Sequence, residues 1–182
     1  MAVRVIGVCG AAGVGKDTFA RYFLHDNWKV DHFADPLKDL LIDHFGFTWH
    51  DLYTQGGKAS FNERWGMTNR EALQRFGTDA LRNNFCYDVW VKVMELRIEK
   101  NLAERNSVII PDTRFDNEAD LIHRFGGLVF RVDRRIDSLL SKKEIVHASE
   151  AGVSDSLVDE VVANNGTLDD LRCLAQAYWN LV

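Results

Sequence analysis

Cysteine is scarce in this chain, and so is anything that would give it a structural role. Cys9, Cys86 and Cys173 stand far apart in 182 residues, odd in number and without a CxxC pair. That excludes a disulfide framework and predicts reduced, mostly packed thiols in a cytoplasmic protein. Positive charge is also short: 22 Lys and Arg against 27 Asp and Glu leave a net charge of −5. A general nucleic-acid polymer binder is disfavoured on that balance, while small phosphorylated ligands stay open. Long apolar runs are missing too. The first one, Val3 to Val8, stops at a glycine loop, too short for a signal segment, and no stretch is long enough to span a bilayer, so no membrane partner is expected. Internal repeats and low-complexity tracts are absent.

What remains is an ordinary globular composition, 46% hydrophobic and 27% charged, read as one domain over 1–182 with room for a substantial core. The chain is organised around GAAGVGKDT, Gly10 to Thr18, which follows the apolar Val3, Val5, Ile6 and Val8 and leads into a helical pattern. A strand that reverses into a helix around a phosphate needs positive φ and a hollow clear of side chains. Gly10, Gly13 and Gly15 supply both, with Val14 in the same cradle. Backbone N–H groups then face the anion, Lys16 reaches the β- and γ-phosphates, and the helix start adds its positive end. Asp17 stands where Ser or Thr would ligate Mg²⁺, and the hydroxyl follows as Thr18. A carboxylate suits a hard cation, so Asp17 is expected to serve metal directly or through water.

In chain order, Arg4 to Cys9 predicts a buried parallel strand and Lys16 to about His25 a helix with Phe19, Ala20, Phe23 and Leu24 inward. Trp28 to Phe33 is a second strand ending in FADPLK. There Asp35 and Lys38 flank Pro36 in the first turn of a helix towards Phe45, either to meet substrate or as a solvated helix start. From Thr48 to Met67 no period holds, which predicts a structureless stretch with a functional or mobile role. Thr68 and Glu71 form a capping box for a helix carrying Arg70, Gln74 and Arg75 that ends at Gly77, and Thr78 caps the next. Asp88 to Asn106 is a long amphipathic helix in which Trp90 is either core filler or a flat wall for a nucleobase or sugar.

Ser107 to Pro111 is a buried strand delivering Asp112 at its carboxyl end, where a carboxylate holds Mg²⁺ or its water. Arg114 suits a bidentate phosphate clamp, with Glu118 orienting it or meeting a sugar hydroxyl, and Asn117 or Asp116 capping the helix that follows. Gly126-Gly127 turns the chain into a fourth strand, Leu128 to Val132. Beyond it Arg131, Arg134, Arg135, Lys142, Lys143 and HASE, His147 to Glu150, make a basic segment over 131–150 suited to a lid; His147 is expected to be structural. A fifth strand, Glu160 to Ala163, an NNGT turn and a helix from Leu168 to Trp179 close the chain. The alternation predicts an α/β three-layer sandwich around a five-stranded parallel sheet.

Taken together, GAAGVGKDT, FADPLK, REALQRFGTDALR, DTRFDNEAD, HASE and DEVVANNGTLDDL resemble the phage-type deoxynucleoside monophosphate kinase family over nearly the whole chain. The resemblance implies ATP-dependent phosphorylation of a deoxynucleoside 5′-monophosphate to the diphosphate, a nucleoside-monophosphate-kinase core with a monophosphate-binding region over 34–90, and often a homodimer. It implies that Lys16, Asp17 and Thr18 serve phosphates and metal, and that Arg70, Gly77, Thr78, Trp90, Asp112, Arg114 and Glu118 line the monophosphate site. From their own places in the chain, Asp35 and Lys38 at a strand end and Gln74 on the helix of Arg70 are expected to meet the same substrate, Asp112 to hold metal as well, and Arg134 to reach the triphosphate from the lid. Glu71 stands where a second basic residue after Arg70 would be expected, which implies fewer phosphate contacts there.

The chemistry needs no dedicated base, because the acceptor phosphate, with a second pKa of about 6, is already ionised at neutral pH. Lys16, Asp17, Asp112 and Arg114 form the expected catalytic set, aligning the reactants and neutralising charge with Mg²⁺. Two alternatives share the loop. Dephospho-coenzyme A kinase has a similar core but not this FGTDALR and DTRFDNEAD pairing, and a nucleotide-dependent switch would carry an NKxD-type guanine-reading motif, absent here.

Overall fold

Five short apolar runs pair into one parallel sheet: β1 (Val5–Cys9), β2 (Trp28–Val30), β5 (Ser107–Ile110), β6 (Leu128–Asp133) and β7 (Glu160–Ala163), numbered in chain order and arranged β2-β5-β1-β6-β7. The computed structural model describes residues 4–24, 27–134 and 152–181. The chain divides into two compact units, one formed by Met1–His32 and Met94–Val182, which holds the sheet, and one by Phe33–Val93.

In the first unit β1 is buried at every position, as expected of a strand covered on both faces. The period-2 alternation sorts its side chains. Ile6 and Val8, with Ile109, Phe130 and Val132, pack against Phe19, Ala20 and Phe23 of and after α1 (Lys16–Arg21) and Leu171 and Ala175 of α8 (Leu168–Leu181). Gly7 faces the other way, towards α7 (Asp116–Arg124). A Cβ on Gly7 would lie 3.0 Å from Ile122 Cγ1 and 3.1 Å from Thr113 Oγ1, so glycine lets helix and strand approach. The part of α6 (Val89–Ala103) from Met94 onward joins α7 on this side through an Arg124–Glu95 ion pair of 3.2 Å. The unit is the three-layer sandwich expected. Its stability comes mainly from side chains such as Phe19, Phe23 and Ile122, each fully buried and contributing about 1.5–3 kcal/mol before entropy is counted.

Several boundaries fall short of the expected ones, two of them for visible local reasons. Helix α1 stops at Arg21 because Tyr22, Phe23 and Leu24 donate to the carbonyls three residues back, a tighter turn that ends the helix. Strand β2 stops at Val30 because Asp31, 5% exposed, turns its carboxylate to Arg97 Nε (2.9 and 3.0 Å) and Nη2 (2.6 Å) and to the His32 N–H (2.9 Å).

In the second unit α2 (Asp35–Phe45) begins with Pro36 in its first turn and ends at Gly46, left-handed at φ 73°. The stretch after it is not structureless, contrary to expectation. It forms α3 (Trp49–Tyr53), α4 (Gln55–Ala59) and a small hairpin of β3 (Phe61–Asn62) and β4 (Met67–Thr68). Each is one turn or two residues, too short to show a period, and is specified by caps instead. Thr48 and Asp51 make a capping box, and Thr54 Oγ1 accepts from Gly57 N at 2.9 Å. Buried Asn69 ties the pieces together, donating to Gly57 O at 2.8 Å and accepting from Asn62 Nδ2 at 3.0 Å.

The Thr68–Glu71 box starts α5 (Asn69–Gln74) as read from the sequence. Gly77 does not end the helix, however, and Thr78 caps nothing: the chain continues as a nine-residue π-helix, Arg75–Asn83. Gly77 serves a close approach instead, since a Cβ there would lie 2.5 Å from Leu37 Cδ2.

Candidate active site

The loop after β1 leads to α1 on one face of the sheet, and the loop after its neighbour β5 leads to α7 on the other. Connections that diverge from adjacent parallel strands open a crevice at the strands' carboxyl ends, the place where open α/β sheets take ligands. Gly10–Thr18 and Asp112–Glu118 are the two segments that follow those strand ends.

The glycines of the first segment adopt the expected conformations, φ 131° at Gly10, 79° at Gly13 and 103° at Gly15. At Gly10 the requirement is also steric, because a Cβ would meet the Val132 carbonyl oxygen at 2.3 Å. Lys16 Nζ folds back over the loop, donating to Gly10 O (2.9 Å) and Ala11 O (2.7 Å). Burial holds the Lys16 ammonium below the ordinary lysine range, and the charge of Arg114 pushes the same way; Asp17, Cys9 and Asp112 oppose them. Lys16, Asp17, Asp112 and Arg114 thus share one electrostatic neighbourhood.

The second segment is built by its own backbone. Glu118, 2% exposed, accepts from the N–H groups of Arg114 (2.8 Å) and Phe115 (3.3 Å). It thereby caps α7, the task expected of Asp116 or Asn117, and fixes the loop that carries the exposed Arg114. The Asp116 carboxylate instead takes Ser154 N (2.8 Å) and Oγ (2.7 Å), which holds it below the usual carboxylate range. Arg134 is exposed just after β6; Arg135, Lys142, Lys143 and His147 to Glu150 lie outside the described residues.

Of the substrate candidates in the second unit, Lys38 and Asp35 form a 3.0 Å pair. Tyr53 donates its hydroxyl to Asp35 at 3.2 Å and lends its ring to the Lys38 ammonium, 4.1 Å from the centroid. Lys38 is 8% exposed, which is not a solvated helix start. Trp90 donates its indole N–H to Gly77 O at 2.8 Å and packs on the Leu37–Leu41–Ala72 cluster. Exposed Arg70 reaches Gln55 at 3.2 Å, Gln74 is half-buried at the end of α5, and Thr78 is half-buried one residue past Gly77 in the π-helix.

Two residues that the sequence reading passed over contact the glycine loop and the start of α1. His32 Nε2 stands 3.6 Å from Asp17 Oδ1 and holds that carboxyl below its ordinary value, the largest influence on it. Asn164, buried, donates its amide to Val14 O at 2.8 Å. Both follow carboxyl ends of sheet strands, the same signal that singled out Asp112.

The sequence profile described as deoxynucleotide monophosphate kinase matches residues 51–174. A protein of Acanthamoeba polyphaga mimivirus named putative deoxynucleotide monophosphate kinase is 33% identical over 91% of this chain and 91% of its own length. The chain belongs to the deoxynucleotide monophosphate kinase family. Two further relatives of this kinase, both named deoxynucleotide monophosphate kinase, come from Enterobacteria phage T4 (33% identity) and Escherichia phage RB69 (28%). Each match covers 62% of this chain and 44% of the phage protein. The matched profile of the kinase includes Arg70 to Glu118 and begins after Gly10–Thr18. Among solved structures, the kinase shares its fold with a Janibacter sugar kinase (TM-score 0.52, 12% identity, 98% and 95% of the two chains covered). A Campylobacter jejuni dephospho-CoA kinase is similar at the same level (TM-score 0.55, 14% identity, 97% and 95% covered).

Proposed function

We propose that this kinase transfers the γ-phosphoryl group of ATP to the 5′-phosphate of a deoxynucleoside monophosphate, giving ADP and the deoxynucleoside diphosphate. The observation that carries the reading is the shared neighbourhood of Lys16, Arg114, Asp112 and Asp17 at the point where the connections after β1 and β5 diverge.

In this reading the amides of Gly10, Gly13, Val14 and Gly15 cradle the triphosphate, with Thr18 and Arg134 adding contacts. Lys16 leaves the Gly10 and Ala11 carbonyls for the β- and γ-phosphates. An oxygen of the monophosphate, ionised above about pH 6, attacks the γ-phosphorus; the new P–O bond forms as the bond to the β-bridging oxygen breaks, and ADP departs. Arg114 clamps the acceptor phosphate, held in place by Glu118 through the backbone. Arg70, Gln74, Gly77, Thr78, Trp90, Asp35 and Lys38 bind the rest of the monophosphate.

The exposed Asp17 carboxylate, the Thr18 hydroxyl and Asp112 are oxygen donors suited to Mg²⁺. They would hold it together with phosphate oxygens, and it would neutralise charge on the transferred group. Among the described residues no helix is long and apolar enough to cross a membrane. We place the reaction in the cytoplasm, the host's if a phage encodes the protein, with a homodimer as the working unit.

The test is a coupled assay with ATP, Mg²⁺ and each deoxynucleoside monophosphate, with dephospho-coenzyme A as a further acceptor. Turnover on at least one monophosphate and none on dephospho-coenzyme A is expected; the reverse would move the chain to the other reaction.

A further inference from the structure

We infer that Asn164 is a positioning residue for the triphosphate: its side-chain amide fixes the orientation of the Val14–Gly15 peptide, so that the Gly15 N–H is presented to phosphate. This rests on reading Gly10–Thr18 as the phosphate cradle.

The geometry is specific. Asn164 follows β7 directly, and its backbone N–H continues the sheet ladder by donating to Asp133 O at 2.7 Å. The residue is 6% exposed, and its Nδ2 donates to Val14 O at 2.8 Å across 150 residues of sequence. The Val14–Gly15 peptide is trans, so its N–H points opposite to its carbonyl. A carbonyl anchored towards Asn164 therefore turns the Gly15 N–H away from Asn164.

The same side chain closes off the alternative. A Cβ on Gly15 would lie 2.7 Å from Asn164 Nδ2, so the amide fills the space on that side of the loop and leaves only glycine room to adopt φ 103°. Val14 itself is 3% exposed and anchored in the α1–α8 core, which leaves the peptide plane as the remaining freedom of the turn. A backbone donor that must meet an anion without reorganising needs such a lock, since an oriented dipole set before binding stabilises charge at no further ordering cost.

The experiment compares Asn164→Leu, which keeps the branched heavy-atom shape but is bulkier and carries no donor, with the parent protein. Titration calorimetry uses two probes, a non-hydrolysable ATP analogue and inorganic tripolyphosphate, and steady-state kinetics varies ATP and the monophosphate separately. One lost buried hydrogen bond and a misaligned amide predict about a ten-fold weaker affinity for both probes. The ATP KM should rise with them while the monophosphate KM stays within two-fold, on the order of experimental scatter.

Loss of ATP affinity with unchanged tripolyphosphate affinity would overturn the proposal, because Asn164 would then serve the nucleoside end. A lower melting temperature with both affinities unchanged would overturn it equally, as a merely structural role. Asn164→Ala is read by the same criteria if the leucine variant does not fold. Failure of the underlying cradle is distinguishable, since in that case Lys16→Ala would leave tripolyphosphate binding untouched.

Discussion

His32 Nε2 faces Asp17 Oδ1 at 3.6 Å and is itself carried by the Asp31–Arg97 pair, so the residue after the loop lysine is tied to the end of β2. Asp17 occupies the position where a phosphate loop ordinarily carries a hydroxyl, and His32 keeps its carboxyl ionised below the ordinary value of 3.8. A depressed carboxyl adds stability above its unfolded pKa and loses it as pH falls through the folded one. Because the Asp17 side chain is 73% exposed, the amount is at most about 1 kcal/mol. In His32→Gln the Asp17 carboxyl should titrate at higher pH, closer to 3.8, by carbon-detected NMR. An unchanged midpoint would contradict the pairing.

Lys16 gives a prediction of opposite sign. Its folded pKa is lowered by burial and Arg114, so in the free protein the ammonium loses its proton at lower pH than an ordinary lysine. A bound polyphosphate favours the charged form, and binding must then take up protons at alkaline pH. Calorimetry of a non-hydrolysable ATP analogue in buffers of different ionisation enthalpy should show net uptake that disappears in Lys16→Ala. Net release, or uptake retained in the variant, would contradict the assignment.

Glycines of one motif should differ in cost. Gly10→Ala drives a Cβ to 2.3 Å from the Val132 carbonyl, and only backbone movement relieves it, so a loss of about 3 kcal/mol or more is expected in denaturant unfolding. Gly13→Ala meets nothing within 4 Å and carries only the strain of φ 79°, about 1–2 kcal/mol. Equal losses would show that conformation rather than contact sets the requirement.

The sheet and its loops were legible because their signals are local and periodic. Val5 to Cys9, Ser107 to Ile110 and Glu160 to Ala163 are apolar runs with punctuation on both sides, and the glycine loop is a motif with a mechanism. The Thr48–Met67 stretch was not legible, since α3 and α4 owe their existence to Thr48 and Thr54 caps rather than to a repeat. Gly77 misled for a related reason: a glycine required by Leu37 packing reads the same as one required by a left-handed helix end. His32 and Asn164 follow strand ends as Asp112 does, but what tells them apart from other strand-end residues is a partner 15 and 150 residues away.

Glu118 separates orientation from direct contact. Glu118→Ala leaves the Arg114 and Phe115 N–H groups without this acceptor, a loss of about 1–3 kcal/mol by thermal or denaturant unfolding. The monophosphate KM should rise, with ATP KM nearly unchanged. A Glu118→Gln variant, which keeps a carbonyl acceptor for the same amides, should recover most of both. Loss of activity in Glu118→Gln with full stability would assign the carboxylate to the substrate instead.

The most direct measurement follows the transferred atom. With ATP labelled at the γ-phosphorus and a deoxynucleoside monophosphate as acceptor, the label is expected at the β-phosphorus of the diphosphate product. Lys16→Ala, folded to the same melting temperature, should give a rate lower by about a hundred-fold or more. Label released only as inorganic phosphate, or transferred at an undiminished rate by Lys16→Ala, would contradict the account.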